Sequence, residues 1–283
     1  MGNSMAKKTL QEQTIRDNYL FAAAMMDGNG ENSRAFLSCL LGKEIRRVEI
    51  SYEKSIVYHP EQKGIRLDVY CADETNTRYN VEMQVIGRKI LKRARYYHSQ
   101  IDMELLLAGM EYEELPDSFV IFICDFDPFG GRKYRYTTRT RLEEMPDEAY
   151  DDGVHTIFLS TKGENGSEVP KELKAFLKFV GAGLEASEAD YESDLVRQFQ
   201  RSIRKIKADR EMRSKYMLFE EMMRDEYKAG KAEGRADYLS ELICRNKAKG
   251  RTVAEIAEFL NEDVDRIAAI YETCDAPTED TKE

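Results

Sequence analysis

Two stretches of strict alternation stand out along the chain. Ile65–Cys71 reads Ile-Arg-Leu-Asp-Val-Tyr-Cys, and Tyr79–Ile86 reads Tyr-Asn-Val-Glu-Met-Gln-Val-Ile. Each alternates polar and apolar residues with period two, as a half-buried β-strand does. Ile65, Leu67, Val69 and Cys71 share one face of the first; Tyr79, Val81, Met83 and Val85 share one face of the second. Arg66, Asp68 and Tyr70, then Asn80, Glu82 and Gln84, take the opposite faces. The polar, turn-prone segment from Ala72 to Arg78 predicts a hairpin. Folded symmetrically about Thr75, it sets Asp68 opposite Glu82 and Arg66 opposite Gln84.

The same reading places the other elements. Residues up to about Gln13 are polar, and helical spacing then runs from Thr14 to Met26 until Asp27-Gly28-Asn29-Gly30 ends it. A second helix, Ser33 to Leu41, stops at Gly42. Val48, Ile50 and Tyr52, with Ile56 and Tyr58, mark one or two short strands before Pro60. A helix pattern covers Arg88–Gly109, and the nearly uninterrupted apolar run Ser118–Cys124 predicts a strand buried on both faces. Strand, helix and buried strand together imply a right-handed crossover. Thr156–Ser160 is a further short strand. From about Pro170 the pattern is helical: Lys171–Val180, Tyr191–Lys207 and Arg210–Asn246, the last weakened by Gly230 and Gly234. Thr252-Val253-Ala254-Glu255 is a capping box opening two short helices that resemble a helix-turn-helix. The second of these carries Asp265 and Glu272 against Arg266, which favours packing or self-association over DNA reading. The order predicts an α/β fold with a mixed sheet, divided into residues 14–165, 166–246 and 247–275.

Composition narrows the class. With 283 residues, 42% hydrophobic and 34% charged, the chain can bury a substantial core. No apolar run reaches membrane-span length and no secretory pattern opens the chain, so a cytoplasmic protein without membrane contact is expected. Cys39, Cys71, Cys124, Cys244 and Cys274 are scattered and odd in number, which predicts reduced thiols rather than a zinc site or disulfide framework. His59, His98 and His155 are far apart and read as structural. The net charge of −10 disfavours nucleic-acid binding by the surface as a whole. Basic residues nevertheless cluster at Arg88–Arg95, Arg132–Arg141 and Arg197–Lys215.

The hairpin carries the candidate chemistry. Like charges directly opposed destabilise a strand pair unless a cation sits between them, and a divalent metal is the simplest such cation. The plainer alternative is a solvated outer sheet face. The basic, aromatic-bearing helix that follows suits a polyanionic substrate, with Arg66, Lys92, Arg93, Arg95, Tyr96, Tyr97 and Gln100 as candidate nucleic-acid contacts. Arg93 and Tyr97 are four apart, as are Tyr96 and Gln100, so each pair stacks along the helix. At least one of the two tyrosines is expected to fill the core.

Taken in order, Arg66-Leu67-Asp68-Val69-Tyr70, Val81-Glu82-Met83-Gln84, Lys92-Arg93-Ala94-Arg95-Tyr96-Tyr97, Val120–Cys124 and Phe126-Asp127-Pro128-Phe129-Gly130 resemble the PD-(D/E)XK nuclease superfamily. The likeness is to its branch of recombination-promoting nucleases and transposase-like proteins, and it covers about residues 14–165 well and the helical region beyond more loosely. It implies a restriction-endonuclease-like mixed sheet flanked by helices, with an α-helical C-terminal region. It implies Mg²⁺, or Mn²⁺, held by Asp68, Glu82 and the backbone carbonyl of Met83. It also implies Asp68, Glu82 and Gln84 as catalytic residues of a DNA endonuclease tied to recombination or a mobile element. Gln84 stands where the superfamily usually has lysine; it can orient water by hydrogen bonding but brings no positive charge. Arg66, Lys92 and Arg95 are the candidates for that missing charge. Two other functions compete: a catalytically weak nuclease-fold module that binds nucleic acid or protein, and an assembly protein that forms homo-oligomers through its helical C-terminal region. DNA is the expected substrate, and RNA stays open as an alternative because nothing in the sequence reads a 2′-hydroxyl.

Overall fold

The computed structural model describes residues 8–51, 54–56, 64–87, 90–148 and 150–274. Helix α1 (Asn18–Leu41) is capped by Asp17, whose side chain accepts from the Leu20 amide. It is interrupted at Asp27–Gly30, where the sequence predicts a break between two helices. At Gly30, φ is +86° and a Cβ would stand 2.7 Å from Ile50 Cδ1 and 2.8 Å from Val48 Cγ2, so only glycine lets α1 approach the next strand this closely. Strands β1 (Val48–Ser51), β2 (Ser55–Ile56), β3 (Ile65–Arg66), β4 (Val69–Asp73) and β5 (Arg78–Gln84) follow, then helix α2 (Leu91–Leu105). Strands β6 (Ser118–Cys124), β7 (Arg135–Thr138) and β8 (Val154–Ser160) complete the mixed sheet, in the order β1-β4-β5-β6-β8-β7. Its β5–β6 and β6–β8 pairs are parallel, with α2 connecting β5 to β6.

The two sheet faces bury different cores. Val69, Val81, Met83, Ile121 and Ile157 belong to one, together with residues of α1, α3 (Lys171–Gly181) and α4 (Asp194–Ala208). Tyr70, Val120, Phe122 and Phe158 belong to the other, together with Ala94, Tyr97 and Ile101 of α2. Residues 166–216, which the sequence sets within a helical extension, therefore contribute α3 and α4 to the core of the sheet. The chain divides into two compact units, residues 1–216 and 217–283. In the second, the C-terminal part of α5 (Arg210–Ala248), α6 (Val253–Leu260) and α7 (Val264–Thr273) close around Leu239, Ile243, Ile256 and Ile267. The predicted capping box is present: the Thr252 side chain accepts from the Glu255 amide, and the Glu255 carboxylate accepts from the Thr252 amide at 2.8 Å. Helix α5 runs through Gly230 and Gly234 without interruption.

Several expectations are corrected. The continuous strand Ile65–Cys71 is split by a bend at Asp68, and Leu67 packs in the α2-side core while Val69 and Cys71 pack in the opposite one. The β4–β5 ladder ends at Val69 opposite Val81, so the expected pairing of Arg66 with Gln84 lies beyond it; Arg66 pairs with Ser55 of β2 and Gln84 with Cys124 of β6. Strand β7 lies within what the sequence shows only as a basic cluster. Five reduced thiols are also not what forms: Cys244 and Cys274 are joined by a disulfide across 30 residues. Cys39, Cys71 and Cys124 are free, and burial raises all three thiols, to about 11, 12 and 12. His98 is buried, with Nδ1 hydrogen-bonded to Ser118 Oγ at 2.8 Å and Nε2 to Thr156 Oγ1 at 3.0 Å. The predicted roles of Tyr52, Tyr58, His59, Pro60, Arg88 and Lys89 fall outside the described residues. Among the described residues no helix is long and apolar enough to cross a membrane.

Candidate active site

The β4–β5 hairpin has the expected register, with Val69 opposite Val81 and Ala72 opposite Arg78. Asp73 builds its turn: Oδ1 accepts from the amides of Thr75 at 2.9 Å and Thr77 at 3.1 Å. Asn76 takes the left-handed conformation there, at φ +68°. At the other end the backbone leaves the ladder at Asp68. Its amide donates to Glu82 Oε1 at 3.2 Å, and the Met83 amide donates to Asp68 Oδ2 at 3.2 Å. Each carboxylate is thus fixed by the backbone of the opposite strand. Asn80, two residues before Glu82 on the same strand face, donates through Nδ2 to Glu82 Oε1 at 3.2 Å. The N–H and C=O of a strand residue face the same neighbour, so the Met83 carbonyl lies on the Asp68 side.

The second oxygen of Glu82 meets a cation from α2. Arg93 Nη2 donates to Glu82 Oε2 at 2.5 Å, Nη1 to Gln84 Oε1 at 3.0 Å, and Nε to the Tyr97 hydroxyl at 2.8 Å. The guanidinium also stands 5.1 Å from the centre of the Tyr97 ring and 5.6 Å from that of Phe122. Glu82 is 1% exposed. Burial raises its carboxyl above the usual range, opposed first by Arg93 and then by the Asp68 amide and Asn80. Burial pushes Asp68 up to about 7, Glu82 adds to the rise, and the Met83 amide, Arg93 and Arg66 oppose it. Burial works against the charged guanidinium of Arg93, yet Glu82 and Tyr97 hold its pKa above the ordinary arginine value. Among the described residues Arg93 meets Glu82 directly, and the charges of Arg93 and Arg66 both act on Asp68.

These groups fit a Mg²⁺ ion. Asp68 Oδ1 accepts no hydrogen bond from the described residues, and the buried Asn80 Oδ1 beside Glu82 has no partner among them. The donors are all oxygens, and Mg²⁺ uses one or two carboxylates with water and phosphate completing its shell. Among the described residues no group of three or more His, Cys, Asp or Glu side chains gathers, so the pair stands without a third carboxylate.

The structure brings Asp68, Glu82, Met83, Gln84, Arg93 and Tyr97 together. Arg66 is exposed on β3, close enough to act on Asp68 through its charge. Lys92 is exposed on α2. Arg95 is exposed too, and lines a cleft of about 420 Å³ with His98, Asp102, Thr138 and Thr156, over the β8–β7 side of the sheet. Tyr96 is half-buried against the α2-side core, Tyr97 is the tyrosine that fills it, and Gln100 is buried. Two direct partners of Glu82 lie beyond the sequence reading. Asn80 was signalled by its position two residues away on one strand face; the Arg93 contact depends on the rotation of α2 over β5, which no local pattern encodes.

Neither the curated proteins nor the solved structures compared with the chain gave a match. The family model described as PD-(D/E)XK nuclease family transposase matches residues 20–233, a span that holds β4, β5, α2 and all the groups just described. The chain belongs to the PD-(D/E)XK nuclease family transposases.

Proposed function

We propose that the protein is a Mg²⁺-dependent DNA endonuclease that acts in recombination or in the movement of a mobile element. The observation that carries this reading is the Asp68–Glu82 pair, fixed by reciprocal backbone amides, with Glu82 buried beside Gln84 and Arg93. Asp68, Glu82 and the Met83 carbonyl would hold the ion. A bound Mg²⁺ supplies Lewis acidity toward the phosphodiester and lowers the pKa of a water molecule. The chain supplies the rest. Gln84 turns its carbonyl oxygen to Arg93, which leaves its amide N–H groups to orient water or a phosphate oxygen. The buried walls around Glu82, from Tyr97 and Phe122, lower the local dielectric and strengthen every charge interaction inside. Arg66, Lys92 and Arg95 offer exposed positive charge for the flanking phosphates.

The test is incubation of the purified protein with supercoiled and linear DNA in Mg²⁺, Mn²⁺ or EDTA, beside a Glu82→Ala control and a single-stranded RNA arm. Nicking or linearisation that needs metal and Glu82 supports the reading. Metal-independent cleavage, or cleavage that survives the substitution, excludes it.

A further inference from the structure

We propose that Arg93 is the cation of this reaction centre, doing from helix α2 what a lysine at position 84 would do from strand β5. The proposal rests on the nuclease reading above and deepens it. Arg93 alone among the sequence-derived candidates has its charged group in contact with both Glu82 and Gln84. Arg66 pairs across β2–β3 and Arg95 faces the cleft over β7 and β8. The guanidinium is held on three sides, by Glu82 Oε2, Gln84 Oε1 and the Tyr97 hydroxyl, and by the Tyr97 and Phe122 rings. A long side chain is thereby reduced to a single placement.

Gln84 follows as the positioning residue for Arg93. A guanidinium only donates hydrogen bonds, so the oxygen of the Gln84 amide must be the atom that meets it. A lysine at position 84 would instead bring a second cation against Arg93. The pairing of a neutral, accepting residue on β5 with an arginine on α2 conserves the charge of the centre while moving its source. Of the five N–H groups of Arg93, three are engaged and two remain, one on each terminal nitrogen, on a side chain that is 33% exposed. N–H groups on both terminal nitrogens can meet oxygens of a phosphodiester, a ligand that guanidinium binds more specifically than ammonium does.

Relocating the charge tests this in the full-length chain. Arg93→Ala, Gln84→Lys and the double variant Gln84→Lys/Arg93→Ala are compared by Mg²⁺-dependent cleavage of supercoiled DNA, by calorimetric Mn²⁺ binding without DNA, and by circular dichroism melting. Arg93→Ala should cleave about 100-fold more slowly, as expected for loss of a transition-state charge. It should bind Mn²⁺ at least as tightly as wild type, because Glu82 loses a competing cation. Gln84→Lys alone should slow cleavage by crowding two cations, and the double variant should recover about tenfold over Arg93→Ala, a non-additivity expected of groups in direct contact. Arg93→Lys covers the case in which the alanine variant does not fold: it keeps the charge on Glu82 but loses the fork, and should cleave about tenfold more slowly. Cleavage by Arg93→Ala or Arg93→Lys at the wild-type rate, or a double variant no faster than Arg93→Ala, overturns the proposal. Absence of metal-dependent cleavage by wild type defeats the nuclease reading instead, and the Mn²⁺ titration still decides on Arg93: weaker binding by Arg93→Ala contradicts its place as the resident counter-ion of Glu82.

Discussion

The Asp68 amide donates to Glu82 Oε1 at 3.2 Å, one residue beyond the last paired position of the β4–β5 hairpin. Hydrogen-bonded and non-hydrogen-bonded pairs alternate along this hairpin, so a straight continuation of β4 would turn the Asp68 amide away from β5. The bend turns it toward Glu82 instead, and the Met83 amide answers by donating to Asp68 Oδ2. Two like-charged groups that would otherwise repel are therefore positioned by the main chain, before any ion arrives.

The proposed phosphate contacts of α2 would carry a salt signature. Lys92 and Arg95 are exposed and three apart, so they share one side of the helix. Replacing both by alanine should weaken DNA binding and lower the slope of log affinity against log salt by roughly two units, near 0.9 for each lost phosphate contact. Filter binding across a salt series measures this. An unchanged slope with a normal circular dichroism spectrum would mean that this side of α2 does not meet nucleic acid.

The buried imidazole of His98 sets an acid limit on stability. Burial and the neighbouring His155 lower its pKa from 6.5 to about 4, against a small opposing effect of Asp152. Between those values the unfolded chain binds the proton and the folded chain does not, so stability falls as pH drops from 6.5 toward 4. Between pH 7 and pH 5 the expected loss is about 2 kcal/mol. Urea unfolding at pH 7 and pH 5 should show the fall in wild type and a shallower one in His98→Gln, whose amide can both donate and accept. Equal pH slopes in the two proteins would remove His98 from the account.

The thiol count is a direct check on the C-terminal unit. Titration of the unfolded, unreduced protein should give three reactive thiols, those of Cys39, Cys71 and Cys124, and five after reduction. Reduction opens a loop of 30 residues and should lower the stability of residues 217–283 by about 3 kcal/mol. Five thiols before reduction would contradict the Cys244–Cys274 link.

The alternation of Val81 and Met83 with Asn80 and Glu82 was legible because β5 is paired along its whole length with β6 and from Arg78 to Val81 with β4, and a paired strand keeps period two. The same rule misplaced Leu67, since the bend at Asp68 interrupts the period at the site itself. The pairing of Arg93 with Tyr97 could be read from a spacing of four. Its reach to Glu82 could not, because that distance is set by how α2 packs over Val120 and Phe122. The Cys244–Cys274 link was hidden for a similar reason: it joins α5 to the residue after α7, and only the packing of three helices brings them together. Strand β7 lies at the sheet edge with half-buried or exposed residues throughout, so it carries no apolar stripe to announce it.

The central claim is that Asp68 and Glu82 together hold one divalent cation. Calorimetric titration of Mn²⁺ into the wild-type chain and into Asp68→Asn, without DNA, tests it most directly. Wild type should show one site, and the variant an affinity at least about tenfold weaker, the usual scale for a damaged metal shell. The variant should keep the wild-type circular dichroism spectrum and melt no lower than the metal-free wild type, because one of two mutually repelling carboxylates is gone. Equal Mn²⁺ affinity in the two proteins would contradict the claim and place any metal site elsewhere.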